Sequence, residues 1–188
     1  TRRSSDLTDL HPLSHTWNIW EHRNDCENYE DNINSIGEFD TVELFWKYWV
    51  RIPKPGAFFF TNKRNRGIIG GRSVVSYSVF KKGIFPKWED PVASLGGEWR
   101  IRRFKNIDEV DEIWETIVLL TIGSSLNTSE HILGVRVVDS SHPQTNKTMY
   151  NVEIWFDSMN YAEEIKANLG QSLNNLDVSK LYLRNHSD

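Results

Sequence analysis

Apolar positions along this chain repeat with two periods. After Asp40-Thr41, a capping pair, the segment VELFWKYWV places Val42, Phe45, Trp46 and Trp49 at i, i+3, i+4 and i+7, which predicts a helix ended by Pro53 and Pro55. A stronger helix opens at Asp108. In DEVDEIWETIVLLTIG, Val110, Ile113, Trp114, Ile117 and Val118 form one stripe, and Gly123 stops it. Tyr161–Leu169 reads as a third helix. The other period is two. Tyr150–Phe156 alternates cleanly, with Tyr150, Val152, Ile154 and Phe156 on one face and Asn151, Glu153 and Trp155 on the other. Strands are also expected at Thr16–Glu21, Ala57–Phe60, Val74–Phe80, Trp99–Phe104, Ile132–Val138 and Val178–Leu183. Between them lie an acidic loop over 24–32, holding Tyr29 as its one aromatic, and the basic, glycine-bearing TNKRNRGIIGGR. Several strands with three separated helices predict an α+β domain, the helices covering one face of a mostly antiparallel sheet.

Length and charge narrow the function. The 188 residues fit one domain, expected over 11–188 behind a polar lead-in at 1–10. A net charge of −4 gives no bulk attraction to nucleic acid, so a phosphate-bearing partner would be gripped by a local basic patch. Cys26 is the one cysteine, which excludes an internal disulfide and favours a reducing compartment. Three Asn-x-Ser/Thr triplets, at Asn127, Asn146 and Asn185, carry less weight in a chain this rich in those residues. No stretch reaches the length of a membrane span, and no apolar signal region is seen in TRRSSDLTDL. A cytoplasmic or nuclear protein is the expectation. Enzyme constellations are missing: no phosphate-cradling glycine loop, no nucleophile elbow. His11 and His15 share i, i+4 spacing, but Pro12 argues against a helix and hence against a metal site, and neither metal nor cofactor is expected.

Aromatic content changes the picture. Eight tryptophans exceed what one core needs, and three aromatics fall at unusual places. Trp88 lies between Pro86 and Pro91, beside Glu89 and Asp90. Trp155 is the large side chain on a polar strand face, and Tyr29 stands in the acidic loop. Singly, each suits a plug over the core as well as a ligand platform. Together with a carboxylate, aromatic faces can sandwich a flat cationic ring while the carboxylate accepts a pair of N–H donors.

The order of motifs resembles the translation initiation factor 4E family. His11-Pro12-Leu13, Trp17, Trp20, Phe39-Asp40-Thr41-Val42-Glu43 and Phe45-Trp46 are similar to its N-terminal half. Tyr77 to Ile84, Pro86, Trp88-Glu89-Asp90, Gly96-Gly97 and Trp99 look like its central signature, and Trp114, Gly123 and Ile154-Trp155 continue it. The resemblance implies a curved, mostly antiparallel sheet backed by three helices on its convex face, and a monomer that binds the 7-methylguanosine cap of messenger RNA. It assigns Trp88 and Tyr29 as stacking faces, Glu89 as reader of guanine N1–H and the 2-amino group, and Trp155 as contact for the N7-methyl. Tyr29 stands where the family usually has tryptophan, which makes the chain look like a divergent paralogue.

Other departures alter what the resemblance implies. The family's phosphate-holding cations are replaced by Ser140 and Asn151, leaving Arg136, Lys147, Arg100 and Arg102 as substitutes. Glu98 occupies a position where arginine is common. His11, Pro12, Val42, Trp46, Leu119 and Gly123 match the surface that docks a 4G-type scaffold or a 4E-binding protein, although Glu115-Thr116 shifts the expected acidic residue by one position. The basic insertion over 61–72 suits RNA contact or a solvated loop. Recruitment of translation machinery leads the functional readings. A repressor of the same family, a partner-binding scaffold with weak cap affinity, and a Trp-rich sugar-binding domain are the alternatives.

Overall fold

The structure, a computed structural model, describes residues 10–24, 26–58, 68–69, 72–141, 149–173 and 177–187. Strand β1 (Pro12–Arg23) is followed by β2 (Ile33–Thr41), helix α1 (Val42–Trp49), a single helical turn α2 (Pro55–Phe58), β3 (Ile68–Ile69) and β4 (Arg72–Lys81). Then come β5 (Gly97–Ile101), helix α3 (Ile107–Ile122), β6 (Ile132–Asp139), β7 (Tyr150–Phe156), helix α4 (Ala162–Ser172) and β8 (Leu181–Asn185). The strands form one curved sheet in the order β2-β1-β4-β6-β7-β5-β8, with β3 paired to β4, and every pairing is antiparallel.

Strand alternation sorts the sheet into two chemistries. Trp17, Ile19, Tyr77, Val79, Val135, Val137, Val152, Ile154, Trp99 and Ile101 are buried against Phe45 of α1, Val110, Trp114, Ile117 and Val118 of α3, and Ile165 and Leu169 of α4. The registers Trp20↔Ser78↔Arg136↔Glu153↔Arg100↔Tyr182 place polar and aromatic side chains together on the opposite, concave face. A small second cluster, Phe80, Ala93, Leu133 and Trp155, closes one end of that face. Gly134 makes it possible, since a Cβ there would come within 2.5 Å of the Phe80 ring.

Several local expectations need correction. Helix α1 does start where Thr41 caps it, its side chain accepting from the Leu44 amide at 3.3 Å. Of its apolar stripe, however, only Phe45 is buried; Val42 and Trp46 face solvent. Helix α3 opens at Ile107, one residue before the expected Asp108, and Asn106 caps it by accepting from the Glu109 amide at 2.9 Å. Gly123 ends α3 in ordinary right-handed geometry, and it is Ser124, with φ 52°, that takes the left-handed turn. The expected strand over 57–60 is instead, as far as residue 58, part of the turn α2, because Pro55 favours the first helical position; residues 59–60 lie outside the described set. Val178–Lys180 is a 3-10 turn, and the last strand starts three residues later than expected. Strand β2 was not expected at all: only Ile33 and Phe39 are buried in it, too sparse a pattern to read as an edge strand.

Candidate ligand-binding site

Two loops meet over the concave face. The first carries Tyr29, and Asn32 shapes it by accepting from the Cys26 amide at 2.8 Å and donating to the carbonyls of Cys26 and Asn28. The second runs from Phe85 to Gly96 and carries Trp88. Here adjacent carboxylates divide the work. Asp90 is buried and accepts from the amides of Phe85, Val92 and Ala93, so it holds the loop's shape. Glu89 is exposed and has no hydrogen-bond or ion-pair partner among the described residues. Asp90 being satisfied from within is what leaves its neighbour available.

The loops are joined to each other. The Tyr29 hydroxyl donates to the Pro86 carbonyl at 3.2 Å, and Lys87 pairs with Glu30. Between them lies a cavity of about 600 Å³ bordered by Asn28, Tyr29, Glu30, Lys87, Trp88, Glu89 and Arg136. Tyr29 and Trp88 remain 39 % and 38 % exposed, unusual for rings of this size unless something covers them. Behind Tyr29, the His22 ring packs edge-on at 4.8 Å, and Arg136 donates to His22 Nδ1 at 3.4 Å and to Ser76 Oγ at 3.2 Å. Burial, aided by the Arg136 charge, lowers the His22 pKa to about 4. A neutral His22 is therefore the acceptor that aims Arg136 at the cavity.

Trp155 requires a correction. It lies on the concave face, as the alternation of β7 predicts, but it is fully buried against Phe80, Ala93 and Leu133 and does not border the cavity. Its indole donates to Glu153 Oε2 at 3.1 Å, and the His186 ring packs against it at 4.6 Å. In this structure Trp155 is floor beneath the loop, not a face offered to a ligand.

Of the three candidate phosphate cations among the described residues, Arg136, Arg100 and Arg102, only Arg136 borders the cavity. Arg100 is committed to internal carboxylates: it pairs with Glu98 and lies 3.7 Å from Glu153. Arg102 stacks on Tyr182 at 5.3 Å, and its buried Nε has no hydrogen-bond partner among the described residues. It borders a separate cavity of about 510 Å³ further along the sheet, together with Arg103, Lys105 and Asn151. Lys147 and the core of the basic insertion, 61–67, lie outside the described residues.

Glu98 now has an explanation. It is fully buried, and its second oxygen lies 3.1 Å from His186 Nε2. Burial alone would raise its pKa, but the hydrogen bond from His186 and the Arg100 charge outweigh that and hold the carboxyl below its usual range. Glu153, equally buried, goes the other way: desolvation raises it despite the Arg136 charge. The acid at position 98 is an internal counter-ion, which is why Arg100 is not free.

The proposed partner surface lies on the opposite side of the molecule. His11 Nδ1 pairs with Glu43 at 2.6 Å and its amide donates to the same carboxylate at 3.0 Å, lowering the Glu43 pKa to about 2. The Val42 amide donates to the His11 carbonyl at 2.9 Å, so His11, Pro12, Val42 and Glu43 form one edge. Trp46 stands 40 % exposed on α1, while Leu119 is half-buried and Gly123 exposed on α3. Trp49 and Trp114, 5.8 Å apart, pack those helices together.

A sequence model described as eukaryotic initiation factor 4E matches residues 12–188. Among curated relatives, a rice translation initiation factor NCBP is 33 % identical over 71 % of this chain and 55 % of its own length. Translation initiation factor 4E1 of Drosophila melanogaster is 32 % identical over 87 % of this chain and 56 % of its own. The chain thus spans about half the length of the curated relatives it matches. Among solved structures, C. elegans eIF4E-3 in complex with the 4E-binding protein Mextli and a cap analog superposes with a TM-score of 0.75 at 25 % identity, covering 96 % of this chain and 95 % of that one. Ascaris suum eIF4E-3 with the m7G cap gives 0.75 at 25 % identity, covering 95 % and 92 %. Neither of the two rings bordering the cavity needed the structure to be suspected. The supporting set did: His22 and the Lys87–Glu30 clamp carry no signal beyond ordinary polar residues, and only the loop's hydrogen bonds decide which of Glu89 and Asp90 is left available.

Proposed function

We propose that this chain, which belongs to the eukaryotic initiation factor 4E family, binds the 7-methylguanosine cap of messenger RNA in the cavity between Tyr29 and Trp88 and acts in translation initiation. One observation carries this reading: two exposed rings border the same cavity as a carboxylate with no partner among the described residues. N7-methylation makes the guanine ring cationic, and a cation over the face of Trp or Tyr is attracted by the ring quadrupole. Glu89, an acceptor at both oxygens, suits the parallel donors N1–H and the 2-amino group. Arg136 supplies positive charge at the rim, and Arg102 lies further along the same face for phosphate beyond it. Trp155 serves as the packed support under the Trp88 loop.

A protein partner of the 4G or 4E-binding-protein class would dock on the helical side, at His11, Pro12, Val42, Trp46, Leu119 and Gly123. The exposed Trp46 favours this, since large aromatics left uncovered on a helix mark interaction surfaces.

Tryptophan fluorescence titration with 7-methyl-GTP and GTP tests the cap reading. Quenching by 7-methyl-GTP is expected at lower concentration than by GTP. Trp88→Ala should weaken the methylated nucleotide about 10- to 100-fold, the range for losing one stacking ring. Glu89→Ala should weaken it about tenfold or more. Equal, weak binding of both nucleotides would leave a scaffold without cap function.

A further inference from the structure

The guanidinium carbon of Arg184 lies 3.6 Å from the centroid of the Trp88 ring. Arg184 sits on β8 directly opposite Glu98, but both oxygens of Glu98 are taken by Arg100 and His186. Among the described residues Arg184 has no ion-pair partner. Its charge therefore reaches the ring without local neutralisation. Arg184 does not border the cavity that Trp88 shares with Tyr29 and Glu89, so the face it covers is the one turned away from that cavity.

We propose that Arg184 is a specificity-determining residue, a fixed cation behind Trp88 that reduces the site's preference for a cationic ring over a neutral one. The inference rests on the cap-binding reading above. An aromatic ring presents negative potential on both faces, and electron density drawn toward one cation is less available to a second. Two cations on opposite faces of one ring also repel directly. At a separation of roughly 7–8 Å, Coulomb's law gives about a 2.5-fold effect at the dielectric of water and about fortyfold at that of a protein surface. A neutral guanine escapes this penalty while keeping its stacking contact. Arg184 also holds the Trp88 ring in place, but that benefit is common to methylated and unmethylated guanine and cancels in their ratio.

The test is the ratio of GTP to 7-methyl-GTP dissociation constants, measured on the whole chain. Arg184→Gln should raise the ratio about threefold or more over the wild type. Arg184→Lys, which keeps the charge but not the planar stack, should leave it within about twofold. A ratio that stays constant or falls in Arg184→Gln overturns the inference alone. Failure of the wild type to bind either nucleotide removes the cap reading and this inference together.

Discussion

His22 shows how one residue's environment becomes a property of the whole chain. Its folded pKa of about 4 lies below the ordinary 6.5, so the unfolded chain takes up a proton that the fold refuses. Between pH 6.5 and 4 the unfolded state binds more protons, and stability falls as pH falls; above 6.5 the contribution is fully present. The cause is burial beside Tyr29 with Arg136 donating to its ring. His22→Phe removes the titration while keeping an aromatic under Tyr29. Thermal melts at pH 7 and 5 should show a smaller acid-induced drop in the variant, by roughly 2–4 °C, the shift that about 1 kcal/mol gives in a chain of this size. Equal drops would mean that His22 is protonated as readily in the fold as outside it. The same residue-level logic separates Glu89 from Asp90: neighbours in sequence, one spends its oxygens on backbone amides and the other has none to serve.

At the scale of elements, helix α3 is the main buttress of the sheet, with Val110, Trp114, Ile117 and Val118 in the core. Its first turn depends on Asn106, whose side chain satisfies an amide that would otherwise lack a partner. Asn106→Ala should cost about 1 kcal/mol in a denaturant melt, with the slope unchanged. Nucleotide affinity should not move, because α3 lies on the face opposite the cavity. A loss of several kcal/mol would instead indicate that the helix as a whole is marginal. The elements also explain which expectations failed. Helices α1 and α3 and strand β7 carry dense, regular patterns and were legible. Strand β2 has two buried positions in nine residues, and its pairing with β1 cannot be read from so little.

The whole molecule is a sheet with two unlike sides, and its two proposed activities sit on opposite ones. Trp88 stands over the polar concave face, whereas Trp46 stands on a helix packed against the apolar convex face. Binding at one should therefore be separable from binding at the other. In pulldowns with a 4G-type or 4E-binding-protein segment, Trp46→Ala should lose the partner, by about 2 kcal/mol or some thirtyfold for a central anchor. Its titration with 7-methyl-GTP should match the wild type. Retention of the partner by Trp46→Ala would place docking elsewhere on the surface.

Much of this protein is determined by its sequence alone. Period-3.6 and period-2 patterns are consequences of local backbone geometry, so the order of most helices and strands, the α+β class and the unusual position of Trp88 beside Glu89 are visible without coordinates. What the tertiary structure decided depends on pairings between distant segments. Trp155 has the alternation of a surface residue, yet the Phe85–Gly96 loop folds over it and makes it core. Arg100 is a cation by composition but is occupied by Glu98, two residues back on the same face of β5, and by Glu153, which the pairing of β7 with β5 brings to 3.7 Å. Arg184 reaches Trp88 only because β8 lies along β5, 96 residues further along the chain from Trp88 itself (184 − 88). Which aromatics are offered to a ligand and which charges remain available are set by neighbours in space, and no local pattern encodes those neighbours.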